Sequence, residues 1–206
     1  MRKALCLVVW LSSFAALAQY EDIQNPGTVS AVQERLFRMR HELTLGIGVL
    51  PSDAFYKGLS INLSYTAHFT DSFAWQVGRG FYSINFPTGL TTQLEQSFGA
   101  KPTDFDEVQY GVGSSVVWTP LYGKMSFLNN TVTHFTFFGS AGASVLHLSR
   151  AGFRPSITLG LGMRLFANKA FSFRLELLDD IVVAPDRAFL NVLSIQLSVS
   201  LNMGGE

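Results

Sequence analysis

Residues Ser60 to Val77, SINLSYTAHFTDSFAWQV, carry an apolar side chain at every second position, break once at Thr70-Asp71-Ser72, and resume the same beat. Successive side chains of an extended strand point to opposite faces, so a period of two describes a strand with one greasy edge and one polar edge. Leu59, Ile61, Leu63, Tyr65, Ala67 and Phe69 make the greasy edge here, against Ser60, Asn62, Ser64, Thr66 and His68. Seven further segments follow the pattern. The first sets Leu43, Leu45, Ile47 and Val49 against Glu42, Thr44, Gly46 and Gly48, and the third sets Phe73, Trp75 and Val77 against Ala74, Gln76, Gly78 and Gly80, with a bulge expected near Arg79. The fourth, Tyr110 to Thr119, opposes Tyr110, Val112, Val116 and Trp118 to Gly111, Gly113, Ser115 and Thr119. In the fifth, about Val132 to Val145, Phe135 and Phe137 compete with Phe138 for the greasy edge. The last three segments oppose Ile157 through Leu165, Phe171 through Leu177 and Leu193 through Leu201 to polar edges that include Arg164, Arg174, Glu176 and Gln196.

The solvent for so much one-sided grease is set by composition. Hydrophobic residues make up 48% of the 206, charged residues only 15%, and the mean hydropathy is +0.24. Residues 1–18 read as a secretory signal, with basic Arg2-Lys3, an apolar stretch, and Ala16-Leu17-Ala18 as the cleavage site; Cys6, the only cysteine, leaves with it. No later stretch reaches the roughly 18 apolar residues of a spanning helix. In hydrocarbon every backbone amide must be paired within the protein, which leaves helices or closed barrels. The expected fold is therefore all-β: an eight-stranded antiparallel transmembrane β-barrel of the outer-membrane type over residues 41–203, preceded by a periplasmic segment, 19–40. A soluble barrel would alternate too, but with its greasy edge inward; the signal, the loops and the aromatics favour the membrane form.

Barrels of this type alternate short periplasmic turns with longer outer loops. With the N-terminus periplasmic, Thr70 to Ser72 and Ala167 to Ala170 are short turns and Pro120 to Asn130 a longer one. The outer side carries Leu50 to Gly58, Asn85 to Gln109, Leu146 to Arg154 and Asp179 to Ala188. The long loop is read as a cover over the barrel mouth, with a short amphipathic helix capped at Thr88 as the alternative. Aromatic residues gather near both ends: Phe69, Phe73, Trp75, Trp118, Tyr122, Phe166 and Phe171 at the periplasmic rim, and Phe81, Tyr82, Phe86, Tyr110 and Phe153 among those at the outer rim. Amphipathic rings prefer these interfaces.

Eight strands enclose a lumen wide enough only for side chains. Glycine pairs on the inward edge (Gly46/Gly48, Gly78/Gly80, Gly111/Gly113, Gly160/Gly162) leave room for long polar neighbours, and Glu42, Arg164, Arg174 and Glu176 are expected to neutralise one another there. A structural ion network is the favoured reading of this cluster; a narrow ion path is the other. No histidine cluster has metal spacing and no cofactor is expected. Loss of Arg2 and Lys3 turns 15 basic against 15 acidic residues into 13 against 15, a charge of −2, which argues against a nucleic-acid partner.

The stretch LSYTAHFTDSFAWQV, with TPLYGK and the upstream VQERLFRMRHELTLGIG, resembles the outer-membrane β-barrel domain family of myxobacteria and their relatives, similar in architecture to small OmpA/OmpX-like barrels. The resemblance covers nearly all of the chain after the signal. It implies a non-enzymatic module of the cell envelope, some of whose relatives belong to adventurous gliding machinery. The terminal LSVSLNMGGE departs from the general pattern in lacking a final aromatic residue. Expected partners are outer-membrane lipids, lipopolysaccharide, and envelope proteins met through loop 85–109 and segment 19–40.

An enzymatic alternative starts from HLSRAGF, His147 to Phe153, which resembles the His-x-Ser-x-Ala-Gly stretch of lipid A deacylase barrels. His147 would take a proton from Ser149 while a carboxylate oriented the imidazole. No Asp or Glu lies between Ser149 and Leu175, so Asp179 or Asp180 would have to reach in from another loop.

Overall fold

A computed structural model describes residues 37–51, 56–87, 107–127, 131–183 and 190–204. The expected signal, most of segment 19–40 and the stretch that could form a helix capped at Thr88 lie outside them. Eight strands are formed: β1 (His41–Leu50), β2 (Tyr56–His68), β3 (Phe73–Pro87), β4 (Val108–Phe127), β5 (Thr131–Leu148), β6 (Gly152–Phe166), β7 (Phe171–Val182) and β8 (Leu190–Met203). Each pairs antiparallel with the next, and β1 pairs with β8 from His41↔Met203 to Val49↔Ile195, closing the ring. Closure leaves no unpaired sheet edge around the wall.

The pattern of two decides which way each edge faces. In β1 and β7 exposed and buried residues alternate with scarcely a break. The exposed set is the aliphatic one: Leu45 is 59% exposed and Leu161 68%, whereas Glu42, Arg164, Ser172 and Ser200 are buried. This is a soluble protein turned inside out, and hydrocarbon is the solvent that such an exterior requires.

Short connections gather at the end where His41 and Met203 lie, here the termini end. Two four-residue turns there share one device. The Thr70 hydroxyl accepts the Ser72 and Phe73 amides (3.3 and 2.9 Å), and the Asn168 carbonyl accepts those of Ala170 and Phe171 (2.9 and 2.7 Å). Such side chains hold a turn by replacing a backbone acceptor. At the opposite, loop end, β5 meets β6 through residues 149–151, a tight link permitted by Gly152 at φ +69°.

Several expected boundaries move. The expected turn Pro120 to Asn130 is strand as far as Phe127, which pairs with Thr131 of β5. Likewise most of Leu146 to Arg154 and the first residues of Asp179 to Ala188 are strand. Besides a shift between Val108 and Tyr110, which buries Val108 and exposes Tyr110, two register shifts reverse the parity of side chains. At Val77/Gly78 two residues of β3 face one of β4, so Arg79 and Phe81 turn inward and Gly78 and Gly80 outward, opposite to the simple alternation. A second shift, between Trp118 and Leu121, exposes Leu121 and takes Tyr122 off the lipid-facing girdle, toward Thr136 and His134 at the mouth. Phe166 also faces inward, on the buried parity of β6.

Trp75 and Trp118 point outward near the termini end. Their fluorescence in bilayers with brominated acyl chains is expected to be quenched strongly; emission unchanged from ordinary lipid would place the rings away from hydrocarbon.

Candidate functional site

The inward edge is organised in layers. Toward the termini end the structure brings together Glu42 of β1, Arg164 of β6, and Arg174 and Glu176 of β7. Arg164 Nη2 donates to Glu42 Oε2 at 2.6 Å, Arg174 Nη1 to Glu42 Oε1 at 3.1 Å, and Arg174 Nη2 to Glu176 Oε1 at 2.6 Å. His68 of β2, on the polar edge of its strand, joins them with Nε2 3.0 Å from Glu42 Oε2. Glu42 is 0% exposed and both arginines 1%. Two carboxylates match two guanidiniums, so the layer carries little net charge where isolated charges would be very costly. Both guanidiniums also lie over the Phe138 ring, at 5.4 and 4.8 Å from its centroid. Gly162 makes this possible, because a methyl there would collide with that ring.

A second crossbar lies nearer the loop end. Arg79 of β3 reaches across the ring to Asp180 of β7, with Nη2 3.0 Å from both carboxylate oxygens, while Ser144 and Thr158 donate to Oδ1. Sequence analysis missed this pair. A bulge hid the direction of Arg79, Asp180 was assigned to a loop, and 101 positions separate them. The available signal was a long basic side chain between two glycines at a break in the alternation.

Apolar groups close the loop end of the lumen. Leu50, Phe81, Val108, Leu146, Leu148, Val182 and Val192 form one buried cluster, and Gly111 leaves the space that Phe81 and Leu146 occupy. At the termini end Phe37 stacks on Phe166 (5.1 Å, 11°) and meets His134 edge-on (5.1 Å, 78°).

The remaining expected site residues lie on the outer wall or at its rims. Phe69, Phe73, Trp75, Trp118 and Tyr110 are exposed toward lipid, and the Trp75 indole donates to Ser114 Oγ at 2.9 Å. Around the β3 bulge, Gly78 and Gly80 help line a space of about 960 Å³ bordered both by the outward Leu63, Tyr65 and Val112 and by the inward Asn62, Arg79 and Ser144. His147 faces outward, stacked on Tyr110 at 4.7 Å and meeting Phe153 edge-on at 4.7 Å, and its Nδ1 has no hydrogen-bond partner. The Ser149 hydroxyl instead accepts the Glu107 amide at 3.2 Å. Asp180, a possible third member of a triad, is held by Arg79 in the lumen. The His–Ser–acid arrangement is thus not assembled. Among the described residues no group of His, Cys, Asp and Glu has the form of a metal site.

An aliphatic exterior, a closed ring and a charged, packed lumen define a transmembrane β-barrel of the outer-membrane type. No family model matches the chain, and no curated protein does. Among solved structures it is similar to Ail, the attachment invasion locus protein of Yersinia pestis, at 10% identity over 81% of this chain and 100% of that one, with a TM-score of 0.39. The same protein in complex with the heparin analogue sucrose octasulfate gives 14% identity over 80% and 100%, TM-score 0.39. Neisserial surface protein A gives 12% over 79% and 94%, TM-score 0.38. The membrane assignment rests on the chain's own inside-out burial.

Replacing Glu42 by Ala leaves Arg164 and Arg174 buried without their shared carboxylate, and should cost about 3–5 kcal/mol in urea unfolding from lipid vesicles. The paired replacement Arg79→Met with Asp180→Leu removes both charges of the other crossbar and should change stability by less than about 1.5 kcal/mol.

Proposed function

We propose that the chain is a structural and interaction module of the bacterial cell envelope, a sealed cylinder in the outer membrane that presents its long loop, 88–107 between β3 and β4, and its periplasmic segment, 19–40, to protein partners. The observation that carries this reading is the filled lumen. An apolar seal at one end, two ionic crossbars and the Phe37 stack at the other occupy the space through which a solute would pass. The stacked His147 and the amide-bound Ser149 favour a non-enzymatic role over a deacylase. Residues 1–18 serve as the export signal, the termini end faces the periplasm, and outer-membrane lipids and lipopolysaccharide surround the aliphatic wall. The finer setting, an envelope complex of the gliding-motility type, is supported by the family resemblance of the sequence.

The purified protein in planar bilayers should be electrically silent, while Leu146→Gly with Phe81→Ala, which thins the apolar seal, should raise ion leakage. Steady conductance from the unaltered protein would instead favour the narrow channel. Exchange of residues 88–106 for a short Gly-Ser linker should preserve the heat-modifiable gel shift of a folded barrel and abolish crosslinking to envelope proteins in intact cells. Undiminished crosslinking would place the contact elsewhere.

A further inference from the structure

The outward edge of β7 reads Phe171, Phe173, Leu175, Leu177, Asp179, Ile181, continued by Val183 beyond the strand. Its pairing with β6 and β8 runs without a register shift, so the alternation places Asp179 outward while the adjacent Asp180 turns inward to Arg79. The two neighbouring aspartates therefore have opposite surroundings. Asp180 is satisfied in the lumen. Asp179 lies level in register with Leu159 and Leu193, and its Oδ1 is buried without a hydrogen-bond partner.

Depth makes this unusual. At roughly 2.4 Å of axial rise per residue in a strand tilted by about 40–45°, Asp179 stands roughly 19 Å above the Phe171 girdle, inside an apolar band about 25 Å tall. Aliphatic side chains continue above it at Ile181 and Val183. Among the described residues it is the one carboxylate at an outward strand position. An ionisable group facing lipid is disfavoured and marks a functional contact.

We propose that the outer face of β6, β7 and β8 around Asp179 is a docking surface for a second membrane-embedded protein that presents a lysine or arginine at this depth. Charge complementarity selects this occupant. Phosphates of lipopolysaccharide carry the same sign as the carboxylate. A second copy related by a two-fold axis would set Asp179 against Asp179. Lys57, a lysine at an outward position near the loop end, lies beyond Leu59, the last aliphatic of the β2 band, and is too high to meet Asp179 of a neighbouring copy. A cation inserted between Leu159 and Leu193 satisfies the carboxylate, and the surrounding aliphatics provide the apolar contact around it.

This inference rests on the reading of the chain as an interaction module, and its test separates the two. A photo-reactive residue is placed at Leu159 or Leu193 of the full chain, and separately at Lys57 near the loops, in cells that make the protein; adducts are recovered and sequenced. The expected result is a protein adduct at 159 or 193 whose crosslinked peptide is a membrane strand carrying Lys or Arg. Its yield should fall at least tenfold in Asp179→Leu and persist in Asp179→Glu. Asp179→Leu should keep the heat-modifiable shift with equal or greater thermal resistance, since an apolar residue suits this face. Lipid adducts alone, adducts to the chain itself, or a protein adduct indifferent to Asp179→Leu would each overturn the proposal. Protein adducts retained at Lys57 would then leave the broader reading standing, and their absence there would count against that reading as well.

Discussion

The structure depends on one requirement of its solvent: hydrocarbon offers nothing to a backbone amide, so every amide must find its partner within the sheet. Pairing of β1 with β8 meets that requirement and fixes the rest. Once the ring is closed, each residue has one of two environments, and an odd or even position chooses between acyl chains and a lumen only as wide as the side chains within it. Aliphatics take the first. The second holds polar groups, many of which satisfy one another. Glu42 receiving both Arg164 and Arg174, and Arg79 spanning to Asp180, are what that narrow interior demands.

The lumen is also graded along its axis. The termini end is ionic and capped by aromatic rings, the middle is lined by Ser, Thr, Asn and Gln and crossed by the Arg79–Asp180 pair, and the loop end is aliphatic. A pore needs a continuous wetted wall, and this gradient interrupts one. On the proposed reading the barrel acts as a strut whose useful surfaces are its exterior, its rims and the segments attached to them.

Much of this was legible in the residues. The edges of β1, β2 and β7 follow parity without error because no bulge disturbs them, and Glu42, Arg164, Arg174 and Glu176 all fall on the inward parity by simple counting. What escaped had a physical cause in each case. Bulges at Val77/Gly78 and near Pro120 shift the count by one residue, which reverses the facing of Arg79, Phe81 and Tyr122. Leu146, Leu148, Val182 and Val192 are apolar and inward, so they break the rule that polar means lumen, and their strand ends resembled loops. His68 has the correct parity, but its closeness to Glu42 depends on the β1–β2 register, which local sequence does not state.

The ionic layer also bears on assembly. Glu42 belongs to the first strand, and the guanidiniums that neutralise it come from the sixth and seventh. A nascent sheet consequently holds bare charge on one side until nearly all of the polypeptide has arrived, and such a sheet is poorly suited to enter lipid. The same contacts fasten when the ends of the sheet meet. Neutralisation of Glu42 is thereby complete only when strands far apart in the chain are brought together in the cylinder.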